Sequence, residues 1–386
     1  VTTPRNRMAR TGTFLAFAVQ GLCFATLLTQ VAAIKGKHGL DEGELTLLLL
    51  IVPVLAGLGS VGAGVLAARM GSKRLLRLAQ PVVAAAVVLA GFAPNVPVLL
   101  VALLVFGLGV GAVDAGMNMQ GVAVERRYGR PVLNGFHCVW SVAGLAGALW
   151  AAALATTLNL SLTMALPMIL AVAGSLIAGP LLCTPEEEKT SEPATKATGR
   201  FPWKPIIPLC LAMAFLYVGD AAVSNFSTVY MQDVLAASAS VVPLAYAAYQ
   251  ATTLLVRLAG DVAVRRYGPA AIVRIGGAIA ALGFAGVVLA PSQPVAVIAF
   301  GLTGVGLSVV APQSFSAAGR LDPAGTGVAI ARVNLFNYVG FIVGAALVGG
   351  LAEAVNMQVA FAAPLVLAAA IVALAPGFAP KPAVLR

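Results

Sequence analysis

The chain has 386 residues, of which 60% are apolar and only 10% charged, with a formal net charge of +10. An ordinary soluble domain is about a quarter charged, so a soluble fold this poor in charge would aggregate. Four scattered cysteines without a Cys-x-x-Cys spacing and two histidines, His38 and His137, argue for structural thiols and leave little material for metal or hydrolytic chemistry, so neither an enzyme, a metal site nor a cofactor is expected.

Runs of about 20 apolar residues, each long enough to cross a ~30 Å hydrocarbon core, recur along the whole chain. They predict an all-α membrane protein with twelve transmembrane helices at 12–34, 45–68, 75–92, 98–120, 134–157, 162–182, 205–230, 239–264, 271–290, 294–317, 327–350 and 356–376. The first run follows Arg5, Arg7 and Arg10 but is too long for a secretory signal and lacks a small-residue cleavage site, so it is read as retained. Residues 184–204 are rich in charge, Thr and Pro without apolar periodicity, and read as a cytoplasmic linker between an N-terminal bundle (1–183) and a C-terminal one (205–386).

The positive charge would suit nucleic acid if it were clustered on one face, but its placement follows the membrane instead. With both termini in the cytoplasm, all but Lys35 and Lys37 of the 24 Lys and Arg fall on cytoplasmic segments or helix ends. That is the positive-inside bias, and it predicts a multi-pass protein of the bacterial inner membrane with no nucleic-acid partner.

Laying the chain over itself at an offset of 197 residues brings Gly71 onto Gly268, Arg77 onto Arg274, Pro94 and Pro97 onto Pro291 and Pro294, and Gly107 and Gly109 onto Gly304 and Gly306. Six spans per half give both halves the same orientation, so the expected architecture is a pair of six-helix bundles related by pseudo-two-fold symmetry along the membrane normal. A substrate site is then expected between the halves near mid-membrane.

Polar side chains inside hydrocarbon are costly and should face the protein interior or a water-filled cavity. Spans three, six, nine and twelve carry almost none, Gln80 excepted, and are the expected lipid-facing periphery. The other spans hold Gln20, Gln30, Asp114, Asn118, His137, Trp140, Tyr217, Asp220, Asn225, Tyr246, Tyr249, Gln250, Arg257, Gln313, Asn334, Asn337 and Tyr338 as candidate cavity walls. Asp114 and Asn118, four residues apart, share a helix face. Asp114 is either a proton carrier or a buried carboxylate that ties helices together, and Asp220 presents the same alternatives.

Candidate substrate contacts are Asn118, His137, Trp140, Tyr217, Asn225, Tyr246, Tyr249, Gln250, Gln313, Asn334 and Asn337. His137 and Trp140 have packing roles as their competing reading. Tyr246, Tyr249 and Gln250 offer neutral hydrogen-bonding groups to an uncharged polar ligand. Arg257 and Asp261, at the spacing of a helical ion pair, read as a gate or helix-end lock. Gly57-Leu-Gly59-Ser-Val-Gly62 formally fits a dinucleotide fingerprint but lies inside a span, where small residues serve close helix packing.

The loop after the second span, Gly64-Val-Leu-Ala-Ala68-Arg69-Met-Gly71-Ser-Lys73-Arg74, resembles the Gly-x-Leu-Ala-Asp-Arg-x-Gly-Arg-Lys signature of the major facilitator superfamily, with Ala68 at the aspartate. The second half keeps Arg257-x-x-Gly260-Asp261 before Arg265-Arg266-Tyr267-Gly268. The stretches around Asp114-Ala-Gly-Met-Asn118-Met-Gln120 and Asn134-Gly-Phe-His137-Cys-Val-Trp140 resemble a bacterial branch related to the fucose permease group. The resemblance implies the major facilitator fold, gating residues at Arg69 and Lys73, and a proton-coupling carboxylate on the fourth helix, at Asp114. The group's first-helix acid has no counterpart, since the first span offers Gln20 and Gln30. The drug-antiporter signature Gly-x-x-x-Gly-Pro is missing, as Gly144 and Gly147 stand without proline.

The resulting expectation is a monomeric alternating-access secondary transporter in the lipid bilayer, coupled to protons through Asp114 or Asp220, for a small polar, sugar-like substrate. A proton-antiport exporter of drugs or metabolites is the alternative within transport, and a non-transporting membrane receptor or scaffold the alternative outside it.

Overall fold

The computed structural model describes residues 3–40, 42–154, 157–189, 202–238, 241–242, 244–322 and 324–380. The described residues are helical throughout, without a strand. The spans of the first half are α1 (Pro4–Leu28), followed by the short α2 (Val31–His38), then α3 (Glu42–Met70), α4 (Ser72–Phe92), α5 (Val96–Tyr128), α6 (Leu133–Leu154) and α7 (Leu160–Leu181). A single turn, α8 (Pro185–Glu188), opens the linker. The second half holds α9 (Ile207–Val229) with a π turn at Tyr230–Val234, α10 (Leu244–Tyr267), α11 (Pro269–Val288), α12 (Gln293–Leu307), α13 (Val310–Leu321), α14 (Val328–Ala354), α15 (Met357–Ala360) and α16 (Ala362–Leu374), which ends in a 3-10 turn. Among the described residues a helix stands at each of the twelve predicted spans, while 155–156 of the fifth and 239–240 and 243 of the eighth lie outside the described residues.

Among the described residues, ten of the spans are long and apolar enough to cross a membrane by length and composition alone. The eighth, α10, is the most polar, carrying Tyr246, Tyr249, Gln250 and Arg257 in its interior. Its polarity, which lowers the hydropathy, is the same feature that marked it as a candidate wall.

Helix ends follow local chemistry. The Thr3 side chain accepts from the Asn6 N–H to start α1, Asn95 does the same for α5 through Val98, and Asn159 for α7 through Leu162, each satisfying one of the free first-turn donors. Pro312 has no N–H to give to the Ser308 carbonyl four residues earlier, and its ring crowds that carbonyl, which accounts for the tenth span being broken between α12 and α13.

The chain divides into two compact units, 1–200 with 322–335, and 201–321 with 336–386. In the first, α1 packs on α6 and α7, α4 on α5 and α7, and α3 on α5. In the second, α9 packs on α16, α11 on α12 and α16, and α10 on α12. Counted as spans, these repeat four of the five partnerships six positions on, and the fifth, α1 with α6, recurs where Gly340 and Gly344 of α14 lie against Ala214 and Val218 of α9.

The repeat extends to single contacts. Gly71 and Gly268 open α4 and α11 with nearly identical backbones, φ 82° and ψ 153° against φ 81° and ψ 156°, a conformation that glycine alone adopts without strain. Gly107 lies against the Val52 carbonyl and its counterpart Gly304 against that of Tyr249, while Gly109 meets Val83 and Gly306 meets Ala280. Each contact in the second set is the first moved by the same 197 residues.

Apolar side chains stand exposed on the predicted peripheral spans, for example Leu78 and Phe92 on α4, Ile169 and Leu170 on α7, Leu282 on α11 and Val366 on α16. Faces of α3, α10 and α12 expose others, including Leu58, Leu255 and Ile298, so the outward-facing surface is not confined to the four expected helices. Surface this apolar is stable against lipid and not against water. Gln80, the one amide expected on the periphery, turns inward and donates to the Ala16 carbonyl at 2.9 Å, buried.

Candidate functional site

In the first unit the polar groups gather around Asp114 on α5. Gln20 on α1 donates from Nε2 to Asp114 Oδ1 at 3.0 Å, with Gln20 itself buried. One turn along α5, Asn118 folds back so that Nδ2 donates to the Asp114 backbone carbonyl at 2.8 Å. This leaves Asn118 Oδ1 buried without a hydrogen-bond partner among the described residues. The position of Gln20 is set by a close approach of α1 to α6, where Gly21 lies directly against the Trp140 carbonyl and leaves no room for a Cβ. That contact also orients α6, whose His137 ring meets Phe17 edge-on at 5.3 Å and whose Trp140 ring lies 6.0 Å from Phe24. His137 is buried in this aromatic setting and Trp140 is half-buried.

In the second unit the centre is Asp220 on α9. The Tyr249 hydroxyl of α10 donates to Asp220 Oδ1 at 2.5 Å, and the Tyr246 ring stands 6.4 Å from that of Tyr249. The α10 backbone that carries Tyr249 is pinned to α12 by Thr252 Oγ1, which donates to the Gly301 carbonyl at 2.7 Å. Arg257, two turns further along α10, acts electrostatically on both Asp220 and Tyr249. It therefore contributes to the carboxylate's surroundings as well as standing near the helix end where a gate was expected. Asn225 is exposed, with Nδ2 turned back to the Ala221 carbonyl, and Gln250 is exposed on α10.

Removing the Tyr249 hydroxyl withdraws a hydrogen bond from a group that is ionised or ionisable. Tyr249→Phe is expected to lower unfolding stability by about 1.5–3 kcal/mol, read as a fall in melting temperature in detergent, whereas Tyr246→Phe changes it less.

The remaining predicted residues are spread more widely. Gln313 is fully buried on α13, and Tyr217 and Asn337 are half-buried on α9 and α14. Asn334 lies in the 322–335 segment of the first unit, where Nδ2 donates to Ser60 Oγ on α3 at 3.1 Å. Arg69 is exposed, and Lys73 Nζ donates to the Pro180 and Leu182 carbonyls at 2.9 and 3.3 Å, so it caps the end of α7.

One pairing and one group escaped the sequence reading. Gln20 was recognised as polar, but its pairing with Asp114 across 94 positions has no sequence signal. Glu188, in a run that reads as solvated linker, is buried in a network with Gln120 and Ser72. Thr184-Pro-Glu-Glu187 fits the capping-box pattern and could have revealed that the linker begins with a helical turn.

Known proteins place this architecture. The family model described as Major Facilitator Superfamily matches residues 13–318 and 209–385. An uncharacterized transporter of Sinorhizobium fredii is 30% identical over 366 residues, covering 95% of this chain and 97% of its own. An uncharacterized MFS-type transporter of Yersinia pestis is 30% identical over 359 residues, covering 90% of each chain. Among solved structures, the transporter FucP in its outward conformation superposes with a TM-score of 0.80 at 16% identity over 98% of this chain and all of its own, and the proton:xylose symporter XylE with 0.78 at 14% over 98% and 97%. At these identities the structures speak for the fold, and the family match and the relatives, which extend over nearly the whole sequence, speak for descent. A duplicated six-span unit, a glycine-opened helix after the second span of each half and relatives that are transporters from end to end lead to one conclusion: the chain belongs to the major facilitator superfamily.

Proposed function

We propose that the protein is a proton-coupled secondary carrier that moves a small polar, uncharged, sugar-like solute across the bacterial inner membrane by alternating access, with both termini in the cytoplasm. The observation that carries this reading is the hydrogen bond from the neutral Gln20 amide to Asp114 within the membrane-spanning part of the first unit. A neutral amide donor brings no charge that would fix the carboxylate as the anion, so it tolerates either protonation state. A site that must load and release protons needs that tolerance. Asp220, held by a tyrosine hydroxyl, is the second candidate for the same task.

The polar inventory around both carboxylates favours a hydroxylated ligand. Asn118 offers a buried acceptor oxygen, and Tyr246, Gln250 and Asn225 offer exposed neutral donors and acceptors. The fold neighbours that take a proton with a sugar, the fucose:proton symporter of E. coli and the proton:xylose symporter, support the same class. In this reading His137, Trp140, Tyr217, Gln313, Asn334 and Asn337 complete the substrate contacts, the carrier works as a monomer, and no reaction is catalysed.

The test is a thermal-shift screen of the purified protein against hexoses, pentoses, polyols, amino acids and cationic drugs at acidic and neutral pH. A stabilising sugar or polyol whose effect depends on pH is the expected outcome. Stabilisation by cationic drugs alone would transfer the reading to drug export.

A further inference from the structure

The signature loop between α3 and α4 lacks its carboxylate, since Ala68 stands at the aspartate, and α4 starts at Gly71 without any side-chain cap. A carboxylate is nevertheless present. Glu188, on the single turn α8, accepts from the Ser72 backbone N–H with Oε2 at 3.2 Å and from Gln120 Nε2 with Oε1 at 3.0 Å. Gln120 also donates to Ser72 Oγ and to the Cys183 carbonyl, and its own oxygen accepts from the Cys183 N–H at 2.7 Å. The Pro185 ring sits so close to Gly71 that a Cβ there would strike it. The start of the linker is thus built into the loop.

A third piece of chain joins this cluster. Arg126 on α5 donates from Nη1 to the Glu188 carbonyl at 3.2 Å and from Nη2 to the Asp322 carbonyl at 2.8 Å. The Asp322 carboxylate holds the turn that follows, accepting from Thr326 Oγ1 at 2.9 Å and the Gly327 N–H at 2.8 Å. Gly325, at φ 66°, presses on the Glu188 carbonyl closely enough that any side chain would collide with it. The turn belongs to the first unit, although α13 before it and most of α14 after it belong to the second.

We infer that Glu188 is the carboxylate of a latch that docks Asp322 and the turn 324–327 onto the α3–α4 loop, taking from the linker the role that the signature aspartate leaves open at Ala68, and that this latch opens during transport. The inference goes beyond the proposed solute and rests only on the protein being a carrier whose units move.

The latch is sensitive to protons. Burial raises the Glu188 carboxyl from 4.5 to about 7, against the hydrogen bonds from Ser72 and the Lys73 backbone that favour the anion, and with Glu186 adding to the rise. The charged groups around it among the described residues are Arg126 on α5, Arg69 at the end of α3, Lys73 on α4, Asp322 on the turn, Lys189 next in the chain, and Glu186 and Glu187 on its own turn, with the Cys183 thiol beside them. A released Glu188 returns to its ordinary value, so the docked state binds the proton more tightly than the open one. Docking is fully supported below about pH 4.5 and loses this support as pH rises through about 7.

The test uses the full chain in nanodiscs with a reporter cysteine, Ala324→Cys, on the half-buried turn, reacted with a polar maleimide. The four native cysteines are buried, and each variant without the reporter sets its own background. Rates are divided by those of the same chain unfolded in SDS at the same pH, which removes the thiol's own titration. Glu188→Ala is expected to speed labelling by about ten-fold, the equivalent of one lost hydrogen bond at the upper end of the usual range. The parent should label faster at pH 8 than at pH 6, and Glu188→Gln should lose that dependence. Labelling of Glu188→Ala at the parental rate, or a Glu188→Gln chain that keeps the parental pH profile, overturns the latch. If Glu188→Ala does not fold, the pH profile of Glu188→Gln decides. No solute enters the assay, so a negative result leaves the proposed substrate standing, and a failed solute screen leaves the latch standing.

Discussion

Asp114→Asn is expected to abolish concentrative uptake while leaving downhill exchange intact. The substitution is close to isosteric, and the new amide oxygen can still accept from Gln20, so the contact between α1 and α5 survives. What is lost is the ionisable carboxylate, which in the proposed reading loads the proton. A carrier that cannot load the coupling ion still alternates with solute bound, but the gradient no longer biases the direction. A proton moving down 100 mV releases about 2.3 kcal/mol, roughly 50-fold in an equilibrium, so the steady-state accumulation ratio in vesicles energised to that extent should fall by up to about that factor toward unity.

The check pairs two measurements on one preparation: accumulation of a radiolabelled sugar found in the thermal-shift screen, and counterflow of the same sugar without a gradient. Loss of the first with retention of the second supports Asp114 as the coupling site. Unchanged accumulation passes the role to Asp220, and loss of both indicates that Asp114 touches the solute or holds the helices. Gln20→Leu separates these further, because it removes the donor and keeps the carboxylate. It is expected to alter the pH at which uptake is half-maximal and to preserve coupling itself.

What was legible beforehand follows the physics of each signal. Hydropathy marks where a helix meets hydrocarbon, so the twelve spans could be read, but it is blind to where the helix itself ends. Thus α1 begins at Pro4, through three arginines, because Thr3 caps it, and α5 runs on to Tyr128, past the predicted end at 120, until Gly129 turns left-handed at φ 61°. The duplication was legible because glycines that allow close approach cannot drift, and Gly107, Gly109, Gly304 and Gly306 all serve such approaches. Partnerships between distant residues left no trace. Neither Gln20 with Asp114 nor Glu188 with Gln120 follows from spacing, and Glu188 is hidden in a run of three glutamates of which Glu187 forms an ion pair with Arg5 at the molecular rim. Composition reports the average of that run, while burial singles out one member.

The glycines of α3 and α5 give the largest expected effect on stability. Gly111 lies so close to Ala56 that an added Cβ would overlap its carbonyl, carbon and Cα together, and Gly59 approaches Leu108 in the same way from the other side of the crossing. These are backbone atoms, which cannot rotate aside as a side chain would, so Gly111→Ala must push the two helices apart. Overpacking of this kind costs typically about 1–3 kcal/mol, and here the strain also reaches Asp114, less than one turn further along α5. In a membrane, where helix association depends on close van der Waals packing and not on the hydrophobic effect, the loss of contact around the new methyl adds to the strain. Gly62, three residues beyond Gly59 on α3, provides the control within the same Gly-x-Gly-x-x-Gly run, since a Cβ there meets nothing within 4 Å. Replacing an unobstructed helical glycine by alanine removes backbone freedom from the unfolded chain and is expected to be neutral or to stabilise by up to about 1 kcal/mol. Melting of the purified variants in detergent, followed by tryptophan fluorescence, should therefore show Gly111→Ala well below the parent and Gly62→Ala at or above it. Equal melting temperatures for the two would mean that α3 and α5 do not cross at Gly111, and the placement of Asp114 would have to be drawn again.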